Sequence, residues 1–131
     1  MKREAINPVP WSLQFGFDQG ELIEDGARLL FCSGQVSMDD AGRPQHADDM
    51  RAQIGLAMDN LQALLAGADM TLANVVRLTI YTTDIDQARA NLDALTGRLE
   101  EFGVKSALTL IGTTGLALPE LKIEIEATAA A

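Results

Sequence analysis

The 131-residue chain has one cysteine, one histidine, one tryptophan and one tyrosine. A lone Cys32 leaves no partner for a disulfide within the chain and no thiolate pair for a cysteine-rich metal site. With His46 also alone, a zinc centre within the chain lacks its usual ligands, so no metal and no cofactor is expected. Basic residues are scarce too: 10 Lys and Arg stand against 19 Asp and Glu, a formal net charge of -9, and no basic cluster interrupts it. Such a chain repels phosphate backbones and anionic lipid, which argues against nucleic acid and membrane as partners. No apolar run approaches a membrane span, and the basic pair Lys2 and Arg3 has no apolar stretch behind it. A cytoplasmic protein is therefore expected. Neither GxGxxG nor GxxxxGK occurs, so a nucleotide phosphate site is unsupported.

What remains is a globular composition, 47% hydrophobic and 22% charged, of a length that suits a single domain over residues 1–131. "LLFCS", closed by Gly34, fits a buried strand, and "ELIEDG" before it fits an edge strand entering a turn. The polar stretch "SMDDAGRPQHADD" reads as a loop in which Asp48 or Asp49 caps a helix running to about Ala66. Met50, Ile54, Met58, Leu61 and Leu65 give that helix one apolar face. A strand is predicted from about Val75 to Thr82, with Val76, Leu78 and Ile80 on one side and Val75, Arg77, Thr79 and Tyr81 on the other. A second helix is predicted from Ile85 to Phe102, ended by Gly103. Strands near Ser106–Ile111 and Leu121–Thr128 follow, and "ATAAA" reads as a soft tail. The order implies an α+β fold in which both helices cover one face of one sheet.

Chemistry is sparse. In "LKIEIEAT", Glu124 and Glu126 share a strand face with Lys122 and Thr128, a placement that serves a general base or a solvated surface equally well. "FCSGQV" brings Ser33, Gly34 and Gln35 to a strand end, where backbone and short side chains can approach a ligand. Cys32 has no basic neighbour to activate it and reads as a buried thiol. Trp11, Phe15 and Phe17 form an aromatic cluster suited to packing or to the lining of a cleft.

Taken together, "LLFCSGQV", "NVVRLTIYTTDI", the second helix with Asn91, and "LPELKIEIEA" resemble the reactive intermediate deaminase (Rid) family, also called YjgF/YER057c/UK114 or L-PSP endoribonuclease-like, from about Phe15 to Thr128. The resemblance implies a chorismate-mutase-like α+β subunit, a homotrimer, and a small-molecule ligand held in clefts between subunits. Members acting on imines hold the substrate carboxylate with an arginine on the penultimate strand and use a glutamate on the last strand to activate water. That glutamate corresponds to Glu124, the SGQ element to Ser33, Gly34 and Gln35, and Phe17 stands where a tyrosine is usual. The arginine position falls on Leu108, which cannot pair with a carboxylate, so the chain resembles an arginine-lacking branch. Arg77 is the one residue that could substitute in space. The implied activity is hydrolytic deamination or water addition on a non-standard substrate, with Glu124 catalytic and Phe17, Ser33, Gly34, Gln35, Asn91 and Leu108 binding the ligand. A non-catalytic, ligand-binding or chaperone-like module and a 2-imino acid deaminase are the alternatives.

Overall fold

The computed structural model describes residues 1–131. Strands β1 (Lys2–Ile6) and β2 (Gly20–Glu24) pair antiparallel as a separate two-stranded sheet. Strands β3 (Leu29–Val36), β4 (Val75–Thr82), β5 (Ala107–Gly112) and β6 (Ile123–Ala130) form a four-stranded sheet in the order β3-β6-β4-β5. β6 runs antiparallel to both β3 and β4, while β4 and β5 are parallel. A parallel pair needs a long crossover. Helices α2 (Ile85–Asn91) and α3 (Asp93–Glu101) supply it.

Helix α1 (Met50–Ala66) starts where the Asp49 carboxylate accepts the Ala52 amide at 3.0 Å, an N-cap that satisfies one otherwise orphaned donor. Its face of Met50, Ile54, Met58, Leu61 and Leu65 is buried against Leu78, Ile80, Ile123 and Ile125 of the sheet. Each fully buried side chain of this kind contributes about 1.5–3 kcal/mol of transfer free energy. The predicted second helix breaks at Leu92. There the amide reaches back three residues to the Arg89 carbonyl at 3.5 Å, so the regular four-residue ladder lapses before α3 begins.

Four further expectations need correction. The strands do not share one sheet, because the β1–β2 hairpin stands apart. β1 itself was not anticipated, since its exposed "KREAI" lacks strand periodicity; Arg3 anchors it. The Arg3 guanidinium forks onto Glu21 at 3.0 and 3.1 Å and donates to the carbonyls of Ala73, Val75 and Lys105 at 2.7–2.8 Å. The alanine tail is not soft: Ala129 and Ala130 are fully buried and pair with Leu30 and Leu29 in β3. Val75 joins the core rather than the opposite face, because the register of β4 on β6 shifts between Val75 and Arg77.

Candidate functional site

The face of the four-stranded sheet turned away from the helices carries the polar residues of the alternating pattern. Ile123, Ile125 and Ala127 are buried, and Glu124, Glu126 and Thr128 alternate with them. In the β4–β6 ladder Tyr81 lies opposite Glu124, Thr79 opposite Glu126 and Arg77 opposite Thr128. On the other side of β6, the register with β3 shifts between Cys32 and Gln35. Ser33 and Gly34 form this bulge, a device that bends a strand and re-aims its side chains.

The bulge meets Glu124 directly. A Cβ built on Gly34 would lie 2.6 Å from both Cδ and Oε1 of Glu124, inside van der Waals contact. Glycine leaves the room in which the carboxylate lies, and a methyl group here would push that side chain aside. Gln35 braces the same turn, its side-chain amide donating to the Ser33 carbonyl at 3.0 Å. The structure thus brings Glu124 against Gly34 of the Ser33–Gly34 bulge, whereas Gln35 pairs with buried Ile125 and Val36 is the residue opposite Glu124.

Tyr81 joins them, a residue whose part in the site was not anticipated. Its hydroxyl donates to Glu126 Oε1 at 3.0 Å. That hydrogen bond, followed by loss of solvation and the charges of Glu126 and Glu124, raises the phenol above its ordinary pKa. The alternation of "RLTIYT" already put Tyr81 on this face, but the pairing with β6 is a matter of register between strands far apart in sequence. Beside the pair lies a depression of about 230 Å³ lined by Phe31, Arg77, Thr79, Glu126 and Thr128. Arg77 shares the face. It stands four residues along β4 from Tyr81, about 13 Å at roughly 3.3 Å per residue.

Three expected ligand contacts lie elsewhere in the chain. Leu108 pairs with Leu78 and packs on the core, on the helix side of the sheet, so within this chain it does not wall the Glu124 face. A strand of two-residue period decides this, since a residue directly beside buried Leu78 faces the same way. Asn91 ends α2 in the helix layer and donates to the Gln87 carbonyl at 2.9 Å. Phe17 packs edge-on against Trp11 at a centroid distance of 5.7 Å. The next residue, Asp18, bridges Ala107 at the outer edge of β5, three strand spacings of about 4.8 Å from β6.

Cys32 is 6% exposed and burial raises its thiol pKa, as expected of a packing residue. His46 is exposed in a left-handed backbone conformation, φ 61°. A larger groove of about 500 Å³ lies between the Pro10–Phe15 turn and α3. Its Asp93 is committed to Arg51 at 3.0 and 2.9 Å, whereas Glu124 has no cationic partner. No helix is long and apolar enough to cross a membrane.

Residues 18–131 match the family described as Endoribonuclease L-PSP. The chain is 36% identical over 92 residues to the protein DfrA of Myxococcus xanthus, a match covering 70% of each chain. It is 31% identical over 97 residues to the RutC family protein YjgH of Escherichia coli, covering 74% of this chain and 72% of that one. The whole chain also superposes on the whole of a crystal structure from Yersinia pestis, YyfB, described as a conserved Rid family protein of unknown function, with a TM-score of 0.85 and 38% identity. This likeness corrects the fold expectation: the architecture is the mixed α+β fold of Rid/YjgF proteins rather than a chorismate-mutase-like subunit. The homotrimer attached to that expectation has no support in the structure of one chain.

Proposed function

We propose, for a chain that belongs to the Rid/YjgF/YER057c/UK114 (L-PSP endoribonuclease-like) family, that it is a small-molecule enzyme with Glu124 as its acid/base. The reaction class is hydrolytic deamination or a related addition of water to an electrophilic carbon. The observation that carries this reading is the Glu124 carboxylate laid over Gly34 at the SGQ bulge with Tyr81 opposite it in the ladder. The carboxylate lies against the backbone bulge, and the phenol beside it is held by the neighbouring Glu126.

For an imine substrate, the Glu124 carboxylate takes a proton from water as the oxygen attacks the C=N carbon. Return of that proton to nitrogen gives the neutral carbinolamine; its hydroxyl proton then passes by way of Glu124 to the nitrogen, the C–N bond breaks, and C=O forms as ammonia leaves. Imine plus water is thereby converted to carbonyl compound plus ammonia, with no redox step. Ser33, exposed at the bulge beside Gly34, offers a polar contact to the ligand. Phe17 and Asn91 lie away from Glu124 within the chain and take no part in this reading.

β5 reads "ALTLIG" and contains no arginine, which supports placement in an arginine-lacking branch and a neutral or bulkier substrate than a simple 2-imino acid. The test is ammonia release from freshly generated 2-iminopropanoate and from a panel of bulkier imines, with Glu124→Ala as control. Release abolished by that substitution supports the reading, with preference for bulkier imines supporting the branch assignment. Release no faster than the spontaneous reaction for any imine removes deamination and leaves ligand binding without turnover.

A further inference from the structure

Lys122 lies just before β6, two residues ahead of Glu124, and its peptide is held from both ends. Its amide donates to Gln53 Oε1 at 2.9 Å. Its carbonyl accepts from Thr82 Oγ1 at 2.8 Å and from the Thr83 amide at 3.1 Å. Gln53 and Thr82 are both fully buried. Gln53 belongs to α1, among apolar neighbours, at a position where a core would ordinarily take a hydrocarbon. Its side chain is nevertheless fully used, since Nε2 also donates to the carbonyls of Glu120 at 2.9 Å and His46 at 3.1 Å.

We propose that Gln53 and Thr82 are positioning residues for Glu124. The inference rests on Glu124 being the functional carboxylate and adds what holds it in place. β5 and β6 are joined by an irregular stretch from Thr113 to Lys122, so the residue at which β6 begins needs an anchor at its near end. The clamp on Lys122 provides one. It sets Ile123 opposite Thr82 and Glu124 opposite Tyr81. A slip of one residue would turn every side chain of β6 over, sending Glu124 into the helix layer and Ile123 into the open. A smaller loosening moves the carboxylate as well, because its approach to Gly34 is set by the position of β6 on β3.

The Gly34 amide reports this seat without any substrate. In isotope-labelled full-length protein at one fixed pH, the change that Glu124→Gln causes in this resonance is measured in the wild-type, Gln53→Met, Thr82→Val and Thr82→Ser backgrounds. The expected result is a change that shrinks to a small fraction in Gln53→Met and Thr82→Val and that Thr82→Ser keeps. A change of full size in Gln53→Met and Thr82→Val, or none in the wild-type background, overturns the proposal. Should either hydrogen-bond-deleting variant fail to fold, the other decides; should both fail, hydrogen exchange of the wild-type Lys122 amide decides. Exchange as fast as that of exposed loop amides overturns the clamp, and protection comparable with the interior of β6 supports it. Where imine turnover is found, kcat falls roughly tenfold in Thr82→Val with KM little changed, as for misplacement of a reacting group. Absence of turnover bears on the proposed reaction and leaves the resonance test intact.

Discussion

The two faces of the four-stranded sheet are built from the same strands and differ in nearly everything else. On the helix side Leu78, Ile80, Ile123 and Ile125 are fully buried. On the opposite side Phe31 is 75% exposed, and Arg77, Tyr81, Glu124 and Glu126 keep access to solvent. The first face supplies stability by removing apolar surface from water and tolerates little change in volume. The second contributes little to that burial, which leaves its side chains free to carry charge. The contrast shows how one alternating strand serves as wall of a core on one side and carries polar groups on the other.

The largest expected effect lies on the helix side. Ile80→Ala should cost about 2–5 kcal/mol, from lost transfer energy and the cavity left behind, read as a shift in chemical denaturation. A loss under about 0.5 kcal/mol would place Ile80 outside the packed core and erase the contrast. Gly34→Ala tests the other face, where the new methyl competes with the Glu124 carboxylate for the same space. The carboxylate can swing away, so stability should fall by only about 1 kcal/mol. Turnover, where found, should drop roughly tenfold or more. Unchanged turnover would detach Glu124 from its seat.

A smaller effect is spectroscopic. Tyr81 is the sole tyrosine, so phenolate absorbance reports it alone. Its pKa is raised above 10.0 first by the hydrogen bond to Glu126, and Glu126→Gln should bring the midpoint down toward that value. The sign for stability follows from the raised folded-state value: the pair's contribution is present below the unfolded pKa and is lost as pH rises through the folded one. A midpoint unmoved by Glu126→Gln would remove the pair from the site. The smallest effect is expected for Thr109→Ala, on exposed β5 beside Thr79, at about 0.5 kcal/mol or less in the same denaturation measurement.

Legibility followed the range of the interactions. The Asp49 cap, the apolar stripe of α1 and the bounds of β4 are local and were readable from spacing alone. The face shared by Glu124 and Glu126 was readable from two-residue alternation. Four other features rest on partners distant in sequence. β1 depends on an arginine bonded to carbonyls about 70 and 102 residues away. Burial of the alanine tail depends on β3 lying beside it. Leu108 was assigned to the ligand site from its correspondence to the family's arginine position, and only its register against Leu78 shows which way it faces. Leu92 interrupts a helix whose apolar periodicity continues through it.

By itself the order of residues determined the charge, the main helical and strand periods and the candidate carboxylate, since each is set by composition or by neighbours within a turn or two. The tertiary structure alone decided that Gly34 receives Glu124, that Tyr81 binds Glu126, that Gln53 and Thr82 hold Lys122, and that Leu108 faces away. The reason is physical: periodicity says which residues share a face, but the register between strands and the seating of a helix on a sheet are chosen by packing and hydrogen bonds across the whole molecule.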